Sequence, residues 1–212
     1  MVIDGVTIGP GLAGEVDETP GSYSWTAPEN VTSITFFAVG GGGGGAGGLT
    51  LQGTTTTSYR GGGGGAGGEI ITTTLSVVPG TSYTVSTGVG GAGGYNGFQS
   101  QPLNINNAPG RGQDGTASSI SLNGTVLASA AGGNGSPTGA GASGQGTFFG
   151  GYWLTGGSVT SPAAPQDGYS GGGPAAGGGG ATTRYGEGGR GGQGDGNIQP
   201  LSGHVGYVNI TW

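Results

Sequence analysis

The residues that could carry out catalysis are few and scattered along the chain. His204 is the only histidine, so a Ser/His/Asp triad could be built only around it, and no nucleophile motif accompanies it. Two carboxylates can cleave polysaccharide, but Asp114, Asp167, Glu187 and Asp195 occur in no recognisable glycosidase context and are interpreted as surface charges. We therefore expect that the protein is not an enzyme and has no catalytic residue.

Motifs for cofactors and metals are equally weak. Residues 88–93 (GVGGAG) satisfy the GxGxxG pattern, but a chain with 60 glycines matches it by composition, and no βαβ unit surrounds it. Residues 191–195 (GGQGD) approach a calcium-binding repeat, but Asp195 is one position early and no tandem repeat follows. The chain has no cysteine, which excludes disulfides and thiolate sites. We expect no cofactor and no metal.

Charge and hydropathy narrow the partners. The net charge is −6, and the four cations, all arginines, form no basic stripe, so nucleic-acid binding is not expected. No run approaches the roughly 20 apolar residues of a membrane span, so membrane insertion is not expected either. The start, Met1 to Asp4, lacks the basic and apolar regions of a signal peptide. We expect synthesis in the cytoplasm of the producing cell.

Glycine fills 60 of 212 positions, and its placement indicates order. Runs at 40–45 and 61–65 break the every-third-residue period of collagen. Disorder is disfavoured because only 14 residues are charged, four basic and ten acidic, and because the glycine tracts alternate with β-branched and aromatic runs. A packed, strand-containing domain is therefore expected.

Strand signals surround the glycine tracts. About seven strands are predicted, over residues 22–26, 31–39, 69–78, 81–87, 118–122, 125–130 and 205–212, with an extended loop or strand over 49–60. Pro79-Gly80 and Asn123-Gly124 each predict a β-hairpin between the strands beside them. In the second strand, Ile34, Phe36 and Ala38 share one face, and its end reads as buried on both faces.

Two identical octapeptides, GGGGGAGG, stand at 41–48 and 61–68, and a third glycine-rich block covers about 132–196. Ordered glycine loses much backbone entropy and buries little apolar area, so backbone hydrogen bonds between tracts must offset that loss. Polyglycine-II helices have three residues per turn and direct all their N–H and C=O groups at neighbours. We predict an all-β fold in which β-sandwich-like strands combine with a bundle of polyglycine-II helices, with alanines at its outer face and essentially no α-helix.

Two stretches interrupt the glycine pattern and read as recognition loops: Tyr95 to Gly110 and Thr147 to Tyr169. Aromatic side chains with a polar tip are favoured at recognition surfaces. The candidate binding residues are Tyr95, Phe98, Tyr152, Trp153 and Tyr169. Phe148 and Phe149 are expected to fold back onto a sheet. Residues 1–20 are acidic and form either a solvated tail or a segment that attaches residues 21–212 to a larger assembly.

An ordered succession of motifs resembles the glycine-rich domains of phage tail-fibre and tail-tip proteins. The motifs are PGSYSWTAPENVTSITFFAVGGGGGGAGG, LSVVPGTSYTVSTGVGGAGG, TASSISLNGTVLASAAGG and VGYVNITW, which together span about residues 20–212. The resemblance implies a virion protein with polyglycine-II bundles that carry variable receptor-contacting loops. It transfers no site residue, because recognition loops in that family are not fixed motifs.

The expected function is therefore a phage adhesin at the tail fibre or tail tip. Its expected partners are other virion proteins, through the N-terminal segment, and a host surface protein or glycan; a homotrimer is possible by analogy with fibres. The leading alternative is a capsid or tail decoration protein without a receptor role. Ice binding and depolymerisation of polysaccharide are weaker alternatives, because the glycine spacing is irregular and no carboxylate pair stands out.

Overall fold

The computed structural model describes residues 21–52, 57–60, 62–100, 104–107, 109–136, 167–168, 185–186, 188 and 199–212, and the short stretches 2–3, 6–7 and 15–18. Within them it has fifteen strands: β1 (Val2–Ile3), β2 (Val6–Thr7), β3 (Glu15–Glu18), β4 (Gly21–Thr26), β5 (Ser33–Val39), β6 (Leu49–Gln52), β7 (Thr57–Arg60), β8 (Ile70–Ser76), β9 (Ser82–Thr87), β10 (Gly97–Ser100), β11 (Asn104–Asn107), β12 (Ser118–Leu122), β13 (Thr125–Ala130), β14 (Asp167–Gly168) and β15 (Tyr207–Thr211). These residues contain no helix, so none that could span a membrane. The predicted all-β class is confirmed.

Two antiparallel four-stranded sheets form the base of the molecule, in the orders β3-β15-β5-β8 and β13-β12-β9-β4. The sheets enclose one apolar core, whose buried members are Trp25, Ala27, Val31, Ile34, Phe36, Ala38, Val77, Tyr83, Val85, Ile120, Ala130, Val208 and Ile210. On β5 the predicted face is buried, with Phe36 fully enclosed. At the end of the same strand both Ala38 and Val39 are buried, as predicted, because the strand continues into the glycine bundle.

The Asn123-Gly124 hairpin is confirmed. Strands β12 and β13 pair antiparallel on either side of it. Asn123 has φ 50° and Gly124 has φ 80°, the positive values that a type I′ turn requires at both central residues.

The predicted Pro79-Gly80 hairpin is wrong. β8 pairs with β5 in one sheet, whereas β9 pairs with β4 and β12 in the other. The turn therefore crosses between the sheets, because Val77 is buried in the core that separates them. The neighbouring connection from β4 to β5 crosses in the same way, and the two crossings bond to each other: Ala27 N donates to Thr81 O at 3.0 Å and Gly80 N to Ala27 O at 2.8 Å.

A bundle of glycine-rich tracts, here called the stem, rises from the base. Its central tract, residues 40–48, continues β5 and would be about 28 Å long at the polyproline-II rise of ~3.1 Å per residue. The N–H groups of 40, 43 and 46 donate to the segment 63–69, those of 41, 44 and 47 to 110–116, and those of 42 and 45 to 201–204, over 2.8–3.0 Å. This three-residue repeat of bond direction is that of a polyglycine-II helix, so the predicted bundle is present.

Six segments surround the central tract. Its carbonyls at 42, 45 and 48 accept from 91, 94 and 97, and those at 41 and 44 accept from 133 and 136. Around the ring, 63–69 bonds to 131–134, 131–136 to 110–116, 110–116 to 88–95, and 88–91 to 203–206. Gly186 closes the ring by accepting from Gly68 and donating to Val205. Described neighbours that accept from the central tract run antiparallel to it, and those that donate to it run parallel.

The alanines of the two octapeptides are a second correction. Ala46 and Ala66 are fully buried, so the prediction that they lie on the outer face is wrong, whereas Ala92 is exposed. The two methyl groups are accommodated inside the stem, where they add buried apolar surface. At neighbouring positions no methyl would fit: a Cβ on Gly44 would lie 2.0 Å from the carbonyl oxygen of Ala92.

A second sheet, here called the far-end sheet, lies at the end of the stem away from the base, in the order β11-β10-β6-β7-β14. β10 pairs with β6 in parallel because these strands continue two tracts that themselves run parallel. The predicted recognition loop 95–110 is therefore wrong in part, since β10 and β11 form an antiparallel pair within it. The predicted strand or extended loop at 49–60 contains β6 and β7, also an antiparallel pair.

Residues 15–18 of the predicted attachment segment form β3 and pair with β15 in the base. Glu15 is opposite Thr211 and Glu18 is opposite Val208, so β3 enters the base from the side remote from the stem. The role of residues 1–20 in attachment stays a prediction.

Candidate functional site

The far half of the stem positions the two candidate residues that the structure describes. In the tract 88–97, glycines at 88, 91 and 94 face the segment 110–117, and those at 90 and 93 face 200–204; a Cβ at any of them would lie within 3.0 Å of a backbone atom there. The remaining positions, Val89, Ala92 and Tyr95, are the ones that carry side chains. The three-residue repeat places these on one line along the outside of the stem.

Tyr95 is the most exposed aromatic side chain on this line, at 60% of its full accessible area. Its ring lies over Gly110, where an added Cβ would be 2.5 Å from Tyr95 Cδ1. Its backbone carbonyl accepts from Gly110 N at 2.7 Å. The ring is thus held outward on a glycine seat that is itself bonded into the stem.

Phe98 lies one step further, on β10 of the far-end sheet, and is 39% exposed. β10 is fixed on both sides: Phe98 is opposite Thr50 of β6 and Asn107 of β11. The structure therefore brings Tyr95 and Phe98 to the same end of the molecule. Tyr152, Trp153 and Tyr169 lie outside the described residues, as do Phe148 and Phe149, and their assignments stay predictions.

Reasoning from the sequence missed Val89 and Ala92. Val89 is 49% exposed and Ala92 is exposed too. We call Val89, Ala92 and Tyr95 the ridge. A signal for it was present in the sequence as V-x-x-A-x-x-Y, an apolar residue at every third position within a glycine tract. That period has meaning only once the tract is taken as a polyglycine-II helix.

Polar side chains on neighbouring tracts satisfy N–H groups that point out of the stem. Thr116 Oγ1 accepts from Val89 N at 2.8 Å, and Asn96 Oδ1 accepts from Gly48 N at 2.8 Å. Asp114, one of the carboxylates considered above, accepts from Gly135 N at 2.7 Å through Oδ1. These groups thus have a structural use, because a backbone donor left without a partner is destabilising.

The junction between base and stem depends on one buried hydroxyl. Ser118 is fully buried; its Oγ donates to Val39 O at 2.6 Å and accepts from Gly88 N at 2.9 Å. It thereby joins the last residue of β5, the residue after β9 and the first residue of β12. His204, the candidate base of a triad, is exposed, and its backbone carbonyl accepts from Gly42 N at 2.8 Å. Over the described parts of the chain, no group of three or more His, Cys, Asp or Glu residues could hold a metal ion.

Comparison with known proteins gives one family. The family profile described as a glycine-rich domain matches residues 17–211, from within β3 to the end of β15. A search of curated proteins finds no match to this chain. The matched range contains the whole base, the stem and the far-end sheet, so the chain belongs to the glycine-rich domain family.

Proposed function

We propose that this protein is a phage virion protein of the tail fibre or tail tip, and that it binds a receptor on the host surface. The observation that carries the proposal is the axial arrangement of the domain. β3 and β15 pair in the base, and the exposed aromatic side chains Tyr95 and Phe98 lie at the opposite end of a stem about 28 Å long.

The stem supports this use because it is rigid for a physical reason. Every N–H group of residues 40–47 donates to a neighbouring tract, and Gly48 N donates to a side chain. A tract bonded in three directions cannot bend without breaking several hydrogen bonds at once. Binding residues are commonly presented by rigid scaffolds, since less conformational entropy is then lost on binding.

The resemblance to phage tail-fibre and tail-tip proteins supports the same proposal. It also leads to the proposed location in the virion, with attachment to other virion proteins through the base. A host surface protein or glycan is the proposed partner. Tyr95, Phe98, Tyr152, Trp153 and Tyr169 remain the proposed contact residues.

The proposal is tested by binding of the purified protein to host cells and by competition with infection. Phe98→Ser should weaken cell binding at least tenfold, because it removes an exposed aromatic group at the far end. Val126→Ser is the matched control: Val126 is 58% exposed but lies on β13 of the base, and its loss should leave binding unchanged. If wild-type protein neither binds host cells nor blocks infection, the receptor role is refuted.

The alternative is a capsid or tail decoration protein with the same fold and no receptor. It predicts many symmetric copies on the capsid or tail tube, whereas the adhesin proposal predicts a few copies at the fibre or tail tip. Immunogold labelling of intact particles distinguishes these two distributions.

A further inference from the structure

The ridge of Val89, Ala92 and Tyr95 is an apolar line on an otherwise polar part of the stem. Its members are about 9.3 Å apart along the stem axis, because a polyglycine-II helix advances ~3.1 Å per residue. Val89 and Tyr95 are 49% and 60% exposed, although a tract position that faces outward accepts any side chain. Contiguous exposed apolar surface of this kind usually marks an interaction site.

The surface on both sides of the ridge is uncharged. On one side, the nearest row of the segment 110–116 contains Gln113 and Thr116, and the Thr116 hydroxyl bonds to Val89 N. On the other side, the Ser202 hydroxyl accepts from Gly93 N at 3.3 Å. Arg111 and Asp114 share the other edge of 110–116, where Asp114 bonds to Gly135 N. A partner that is itself acidic can therefore approach the ridge without facing a carboxylate of these two flanking tracts.

We infer that the ridge is the contact through which two copies of this chain associate, stem against stem. A copy of the chain has a net charge of −6, and the neutral corridor is where such a copy meets least repulsion. The partner must also match a straight repeat of about 9.3 Å. An α-helix repeats every ~5.4 Å and a strand every ~6.6 Å, so neither fits, whereas the ridge of a second copy has the same repeat.

The small residue in the middle of the ridge supports the match. Ala92 leaves a depression between Val89 and Tyr95, and a side chain from the partner's ridge can fill it. A surface that contacts its own copy in this manner is the usual basis of a closed homo-oligomer. Tyr95 then belongs to a contact between stems, while Phe98 and the far-end sheet stay free. The inference does not depend on the receptor role proposed above.

Analytical ultracentrifugation of the full chain, up to about 1 mM protein, tests the inference. Wild-type protein should associate reversibly as concentration rises. Ala92→Glu should weaken that association at least tenfold, because it places a charge at the centre of the ridge. Ala117→Glu is the matched control: Ala117 is also exposed but lies in the same row as Arg111 and Asp114, and this variant should associate like wild type.

Cross-linking gives a second measurement that does not rely on the strength of association. The natural chain has no cysteine, so Ala92→Cys and Ala117→Cys each introduce a single thiol. Mild oxidation should convert the first variant, but not the second, to a covalent dimer. The inference is overturned if wild-type protein stays monomeric up to about 1 mM, if both glutamate variants associate equally, or if the two cysteine variants cross-link at the same rate.

Discussion

Gly44 lies in the middle of the central tract, and replacing it with alanine perturbs the stem at its most enclosed point. Its N–H donates to Gln113 O at 2.8 Å, and its carbonyl accepts from Ser136 N at 2.9 Å. An added Cβ would lie 2.0 Å from the carbonyl oxygen of Ala92, closer by about 1 Å than such contacts ever come. The central tract and the tract 88–97 must therefore separate.

The size of the effect follows from the bonds that separation breaks. The two tracts are joined by donation from Gly91, Gly94 and Gly97 to the carbonyls at 42, 45 and 48, over 2.7–2.8 Å. At about 1 kcal/mol of net stabilisation per bond, Gly44→Ala should lower the free energy of unfolding by ~3 kcal/mol. For a domain of this length that corresponds to a fall in Tm of roughly 6–12 °C.

The control is Gly80→Ala, at a glycine whose added Cβ would meet nothing within 4 Å. Gly80 has φ 73°, so alanine there loses only the conformational preference, about 1 kcal/mol. Both variants are compared with wild type by guanidinium denaturation followed by tryptophan fluorescence. If Gly44→Ala destabilises the protein no more than Gly80→Ala does, the dense packing of the central tract is refuted.

Further substitutions test the junction, the turn and the core. Ser118→Ala should lower the free energy of unfolding by about 1–3 kcal/mol because it leaves Gly88 N and Val39 O buried without their partner; Ser129→Ala, at an exposed site on β13, should change it by less than ~0.5 kcal/mol, and equal effects would contradict the assigned role. Asn123→Ala should lower it by about 1 kcal/mol because φ is positive there, and an unchanged denaturation midpoint would contradict the type I′ turn. Phe36→Ala should lower it by about 3–5 kcal/mol, since Phe36 is fully buried, and a loss below about 1 kcal/mol would contradict its place in the core.

The elements with side chains were the predictable part of the fold. Alternation on β5 gave both its buried face and its doubly buried end, and Asn123-Gly124 gave its hairpin, because each signal is local. Pro79-Gly80 shows the limit of such signals. A proline-glycine turn between two β-prone runs is the same locally whether the strands pair or cross between sheets, and only the burial of Val77 in the shared core decides.

The glycine tracts show a different limit. The octapeptides at 41–48 and 61–68 are identical, yet the first is the central tract and the second contributes to the ring. Glycine has no side chain through which sequence could distinguish these positions. The choice is made by the strands that each tract continues, since β5 lies between β15 and β8 in its sheet. The number of neighbours of each tract is thus a tertiary property.

Of the candidate binding residues, the sequence identified Tyr95 and Phe98 as aromatic interruptions of a glycine pattern, and both are exposed at the far end. It placed them on one loop, whereas Phe98 lies on a strand. That strand forms because β10 continues a tract running parallel to the one that leads into β6, a relation that residues 97–100 do not encode by themselves. Val89 and Ala92 were missed because the period of three was not applied to the outer side chains.

Hydrogen exchange of the amides at 40–47, followed by NMR, tests the central claim most directly. The polyglycine-II stem predicts that all eight consecutive amides exchange slowly and to a similar degree, because each donates to one of three surrounding segments. A tract paired as an ordinary edge strand would instead show protection at alternate residues, and a flexible glycine linker would show none. Either of these two patterns would contradict the stem.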